Sequence, residues 1–232
     1  MPPSGCLSVA SKIWIGEDVL SERECAHFIR LGTDLRPGLV VSNMGSSTGC
    51  LSATRSSRVK WIGHHLDATT TAVGARLSAM VGLPLWHAED FHIELYESGG
   101  GYDWHPDAFP HNSLQGQANM TRGGQRLATV IVFLNDCDSS GRLEFWPPAP
   151  VILHRRGRVV FAHHCEGSST LMSRNFFCRD TAPEAGQRWQ FKLFFHEEPY
   201  RRLFWTPKAL ERARKLLTAS VSPDPAGIIC SY

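Results

Sequence analysis

His105 and Asp107 stand at i and i+2 just beyond a glycine turn, Ser98-Gly99-Gly100-Gly101, and an aromatic, Tyr102. On an extended segment such a pair points to one face, so an imidazole nitrogen and a carboxylate oxygen can reach the same metal ion. Imidazole and carboxylate are donors of the facial triad of non-haem iron(II) oxygenases, in which three protein ligands leave further positions open. Spacing alone does not select this pair. The same His-x-carboxylate form recurs at His65/Asp67, His87/Glu89, His92/Glu94, His164/Glu166 and His196/Glu198. Only His105/Asp107 follows a strand pattern, a glycine loop and an aromatic, which makes it the candidate metal pair; surface or strand residues are the ordinary reading of the others.

The elements that must position the pair are mainly strands. Residues 91–97, FHIELYE, alternate aromatic and β-branched residues with polar ones. Residues 126–134 form the clearest strand: the run LATVIVFL predicts burial on both faces, and Asn135-Asp136 turns it. Shorter strands are expected at 13–15, 143–146, 151–153 and 159–161, with one more possible at 39–41. On a last strand at 188–196, Arg188, Gln190, Lys192 and Phe194 share one face, and Trp189, Phe191, Leu193 and Phe195 share the other. A helix opens at Ser21 with a Glu24 capping box, buries Cys25, Phe28 and Ile29, and is expected to stop at Gly32. A second helix covers 66–81, with Leu66, Val73, Leu77, Met80 and Val81 as its apolar stripe, and a third covers 206–217 behind Thr206 and Pro207. Residues 36–58 read as a long loop, either a substrate lid or a surface excursion, and 109–124 as a polar loop over the site. The basic run at 154–158 suits an anion or a solvated hairpin turn, and Gly157 directly before a strand favours the turn. Short strands between helices, without β-α-β alternation, argue for a mostly β barrel with flanking helices. The expected organisation is a flexible N-terminus at 1–11, a barrel domain with its supporting helices at 12–200, and a C-terminal helix with a loose tail at 201–232.

Composition bounds the function. With 42% hydrophobic and 20% charged residues, the chain suits one globular domain. A formal charge of +2 is too near neutral to argue for a nucleic-acid or membrane partner, and no apolar run approaches the ~18 residues of a membrane helix. The seven cysteines are odd in number and contain no C-x-x-C pair. They read as reduced thiols, and with no visible leader a cytoplasmic location is expected. Oligomeric state is not indicated.

Taken together, Tyr96, the glycine turn, Tyr102, His105, Asp107, the 126–136 strand, Gly141 to Phe145 and the RRGRVVF run at 155–161 resemble prolyl 4-hydroxylases. The resemblance covers residues 19–196. It implies a double-stranded β-helix (jelly-roll), with Fe(II) and 2-oxoglutarate as cofactors and ascorbate as an optional third. The implied reaction is hydroxylation of a prolyl peptide or a small amino-acid-like substrate.

The family pattern ends in a histidine eight residues before a glycine and ten before a basic residue. Gly186 and Arg188 match that ending, and the histidine position holds Cys178. A thiolate can ligate iron, so Cys178 is a candidate third ligand beside His105 and Asp107; His163 and His164 are alternatives, as is a site with two ligands or no metal. The resemblance assigns Arg188, in place of the usual Lys, to the far carboxylate of 2-oxoglutarate, and Tyr96 to the same carboxylate. The competing function is a catalytically silent dioxygenase-fold binding module, motivated by the missing histidine. A nucleic-acid demethylase is disfavoured by the near-neutral charge, and a halogenase by the presence of Asp107.

Overall fold

The computed structural model describes residues 5–33, 40–41, 57–137, 141–146, 151–166, 169–173, 176–181 and 183–200. The expected helix at 206–217, the tail, the prolines at 147–150 and most of the 36–58 loop lie outside the described residues. In chain order the strands are β1 (Leu7–Ala10), β2 (Ile13–Gly16), β3 (Val40–Val41), β4 (Arg58–Ile62), β5 (Phe91–Glu97), β6 (Tyr102–His105), β7 (Arg126–Phe133), β8 (Arg142–Phe145), β9 (Val151–Leu153), β10 (Val159–His163), β11 (Cys178–Asp180) and β12 (Gln187–His196). The helices are α1 (Glu22–Thr33), α2 (Ala68–Val81) and α3 (Leu114–Met120).

Antiparallel pairing joins these strands into a larger sheet, ordered β1-β2-β10-β7-β12-β5-β4-β3, and a smaller one, ordered β6-β11-β8-β9. Two-residue alternation sets the layers. From the central strands, Phe91, Ile93, Leu95, Val130, Val132, Val159, Phe161, Trp189, Phe191, Leu193 and Phe195 pack with Phe28, Val73 and Leu77 of the helices. Their neighbours along the same strands face the smaller sheet. At one end this inner space is apolar, with Ile131, Phe133 and Val160 packed on Leu143, Phe145 and Ile152. The other end is lined by buried His92, Glu94, Thr129, Gln190 and Lys192. This is a jelly roll with helices on one side and a polar chamber inside.

Helix starts follow the sequence signals. The Ser21 amide donates to Glu24 Oε2 at 2.8 Å and the Glu24 amide donates to Ser21 Oγ at 3.3 Å, completing the expected capping box. Gly32 lies inside α1 and does not end it: a Cβ there would stand 2.5 Å from the Trp189 ring, so glycine is kept for close approach of helix and sheet. Asp67 caps α2 through the Thr70 amide, which leaves Leu66 before the helix and exposed, outside the apolar stripe expected to include it. Residues 7–10, read as loose, add edge strand β1 to the larger sheet. The basic turn at 154–158 is not the expected hairpin, because β9 and β10 belong to different sheets and the turn crosses between them; its Arg156 and Arg158 pair with Glu22 and Glu17 at 2.8 Å, so its charge is used internally.

A buried ion pair near the end of β12 carries a testable pH dependence. Glu89 accepts from Arg126 Nε at 2.6 Å and lies 2.8 Å from His196 Nε2. Burial opposes its charge, but Arg126 and His196 outweigh that penalty and hold its carboxyl at about 2, below the ordinary 4.5. The folded value is depressed, so this contribution is present above pH 4.5 and lost as pH falls toward 2. At 1.36 kcal/mol per pH unit it amounts to about 3 kcal/mol. Thermal melts of wild type should fall more steeply than those of Glu89→Gln between pH 4.5 and 2.5; parallel slopes would show that the pair carries no acid sensitivity.

Candidate metal centre

His105 ends β6 and Cys178 opens β11, and the two are directly opposed in the antiparallel register. Residues opposed in this way project to the same face of the sheet, here into the chamber. Cys178 Sγ lies 3.7 Å from His105 Nε2. Asp107, two residues beyond His105, brings Oδ1 to 3.4 Å from the same nitrogen. The ligand atoms of all three residues fall within 4.8 Å of one another and all three side chains are buried. Among the described residues no other trio of His, Cys, Asp or Glu donors assembles in this way.

The surrounding bonds orient these side chains for a cation. His105 Nδ1 donates to the Asp103 carbonyl at 2.7 Å, which makes Nε2 the nitrogen that faces Asp107 and Cys178, the one available to a metal. The Tyr102 ring stacks on the imidazole with centroids 3.4 Å apart. Asp107 Oδ2 accepts from the Thr129 hydroxyl at 2.9 Å, so Oδ1 is the oxygen turned to the histidine. Having given its proton to Asp107, Thr129 accepts from His164 Nε2 at 2.6 Å. Burial holds His164 down at about 4 despite Asp107, so it is neutral near pH 7. His164 thus stands behind Asp107 and supports it, outside the trio of grouped donor atoms. Arg126 donates to the Asp107 carbonyl at 3.3 Å, tying the Glu89 pair to the same loop.

The charges are those of a site built for a cation. Burial opposes the Asp107 charge, but Lys192 and His105 hold its carboxyl well below the usual carboxylate range. Burial first and then Asp107 push the Cys178 thiol well above its ordinary value, so the thiol keeps its proton until a metal displaces it. The donor set fits iron(II).

Arg188 and Tyr96, the pair assigned to a cosubstrate carboxylate, do come together. The guanidinium lies over the Tyr96 ring, 4.3 Å from its centroid, and Gly141 makes room: a Cβ there would stand 3.2 Å from the Arg188 chain. The carboxylate they hold in this structure is that of Asp180. Arg188 donates to it at 2.7 Å, the Tyr96 hydroxyl lies at 3.2 Å, Gln190 at 3.1 Å and Lys192 at 3.2 Å. Burial opposes the Lys192 charge, but Asp180, Glu94 and Asp107 push its ammonium well above the lysine range. Arg188 keeps one buried donor, Nε, without a partner. Asp180, Glu94, Gln190 and Lys192 were not singled out as site residues; the alternation of β12 had placed Gln190 and Lys192 on the Arg188 face, which was the available signal.

The remaining His-x-carboxylate pairs have structural partners. Asp67 caps α2 and pairs with His27 at 2.7 Å, Glu166 is exposed and pairs with Lys12 at 3.2 Å, and Glu89 joins Arg126 to His196. His92 lies 3.3 Å from Glu94 inside the chamber and stacks on Trp61.

No family model matches the chain. It is 32% identical over 139 residues to probable prolyl 4-hydroxylase 7 of Arabidopsis thaliana, covering 60% of this chain and 42% of that protein. It is 29% identical over 199 residues to probable prolyl 4-hydroxylase 4 of the same plant, covering 85% of this chain and 61% of the relative. The sequence is thus similar to plant prolyl 4-hydroxylases over most of its length. Its fold matches the viral collagen prolyl hydroxylase of Paramecium Bursaria Chlorella virus-1, solved as a 2OG complex, with TM-score 0.62 at 16% identity over 79% of this chain and 94% of that one. It also matches a prolyl hydroxylase from Trichoplax adhaerens, solved with a hypoxia inducible factor peptide fragment, with TM-score 0.59 at 19% identity over 83% of this chain and 87% of that one. The chain spans about half the length of the curated prolyl 4-hydroxylases it matches.

Proposed function

We propose that this prolyl 4-hydroxylase-like chain is an iron(II)/2-oxoglutarate-dependent dioxygenase that hydroxylates a prolyl peptide or a small amino-acid-like molecule. The buried His105, Asp107 and Cys178 trio carries the proposal, because its imidazole turns Nε2 to the other two donors and its carboxylate is held ionised. Bound iron(II) would supply oxygen activation; in the balanced reaction one atom of O2 enters succinate as 2-oxoglutarate loses CO2, and the other enters the substrate as a hydroxyl. The protein's part is to orient Asp107 through Thr129 and His164, to shield the centre between two sheets, and to bind a carboxylate through Arg188, Tyr96 and Lys192. The relative solved with a peptide favours a peptide substrate. The free cysteines among the described residues suit a reducing, cytoplasmic setting.

Protein loaded with iron(II), supplied with 2-oxoglutarate, ascorbate and a proline-rich peptide, should release succinate and add one oxygen atom to the peptide. Absence of succinate under every substrate condition, with iron bound, would favour the silent binding module.

A further inference from the structure

The chamber already contains a carboxylate at the seat a cosubstrate carboxylate would need. Asp180 and Cys178 point to the same face of β11, two residues apart. At the rise of a strand that separation is about 6.6 Å, comparable with the ~5 Å that four C–C bonds span in a zigzag. Asp180 therefore sits about one five-carbon diacid away from the metal centre. Its carboxylate receives Arg188, Lys192, Gln190 and Tyr96, the donors that would otherwise face a ligand. Arg188 is further engaged with the Arg142 carbonyl at 2.9 Å, so both terminal nitrogens already serve protein acceptors and Nε is the one nitrogen with none.

Charge points the same way. Asp107, Asp180 and Glu94 face Arg188 and Lys192 in this buried space. A divalent metal with a Cys178 thiolate brings that set to neutrality with no further anion. The dianion 2-oxoglutarate would add two negative charges to a chamber out of water, where unpaired charge is costly.

Resting on the cosubstrate reading above, we propose that Asp180 is a specificity-determining residue: an internal carboxylate that occupies the Arg188 seat, so that 2-oxoglutarate binds only by displacing it. The site then gives little advantage to the second carboxylate of a 2-oxo diacid over a 2-oxo monoacid. Asp180→Asn keeps the shape, removes the competing charge and leaves Glu94 and Asp107 opposite Arg188 and Lys192.

The test is calorimetric titration of Mn(II)-loaded wild type, Asp180→Asn and Asp180→Asn/Arg188→Gln with 2-oxoglutarate and with 2-oxobutyrate, with thermal melts to confirm folding. Wild type should bind the two acids within about tenfold of each other, a gap of 1.4 kcal/mol. Asp180→Asn should bind 2-oxoglutarate at least tenfold more tightly and 2-oxobutyrate unchanged, and the double variant should lose the gain. A wild type that prefers 2-oxoglutarate by a hundredfold overturns the role of Asp180 even if the variants fail to fold, as does a folded Asp180→Asn with no gain. A metal-loaded wild type that binds neither acid overturns the cosubstrate reading itself, and this inference with it.

Discussion

Asp107→Asn and His105→Ala bind iron(II) or manganese(II) at least about 100-fold more weakly than wild type, beyond the 10–100-fold typical of losing an outer partner, while the fold persists. Asp107→Asn is the cleaner change. The amide keeps the size of the carboxylate and can still accept from Thr129, so packing and the His164 connection survive while the anionic donor is gone. His105→Ala removes the imidazole whose Nε2 faces both other donors, and it also vacates the ring stacked on Tyr102. Neither residue belongs to the two apolar clusters that hold the sheets and helices together, so far-UV circular dichroism should be unchanged. Metal analysis of purified protein checks this directly. Wild-type occupancy in both variants would remove the metal centre from the account.

Cys178→Ala has the second large effect, losing metal affinity and succinate formation together, whereas Cys178→His retains metal binding and turnover. Burial keeps the free thiol protonated, so coordination must expel a proton, and a Co(II)-loaded wild type should show a thiolate charge-transfer band that Cys178→Ala lacks. An imidazole at the same position supplies a neutral donor without that cost. Cys178 is packed within the apolar cluster, however, and the larger ring should lower stability by about 1–3 kcal/mol, the range for overpacking a core. Equal turnover by wild type, Cys178→Ala and Cys178→His would show that the thiol is no ligand. His164 would then be the residue to test, although its bond to Thr129 now directs it away from that role.

Much of this arrangement was written in local pattern. Period-two alternation identified β5 and β12, a continuous apolar run identified β7, and on β12 alternation separated the helix-facing Trp189, Phe191, Leu193 and Phe195 from the chamber-facing Arg188, Gln190 and Lys192, because a strand side chain has only two directions to point. The Ser21 capping box was legible because its partners lie three residues apart. Helix α3 was missed within a segment read as a polar loop: it buries only Gly116 and shows no apolar stripe, and its one signal was the Ser113 hydroxyl that accepts from the Gly116 amide. Strand β4 was hidden at the end of the long loop, because its buried Val59 and Ile62 stand three residues apart, on opposite faces, and make no period-two pattern.

At the site, the sequence by itself determined that His105 and Asp107 share a face, and the resemblance to prolyl 4-hydroxylases pointed to Cys178 as a candidate ligand. Tertiary structure alone decided that Cys178 lies opposite His105, that His164 stands behind Thr129, and that Asp180 fills the seat beside Arg188 and Tyr96. Tyr96 and Asp180 are 84 residues apart. Local periodicity reports which way a side chain points, but which charge it meets across the chamber depends on how two sheets register against each other, and no spacing along the chain encodes that meeting.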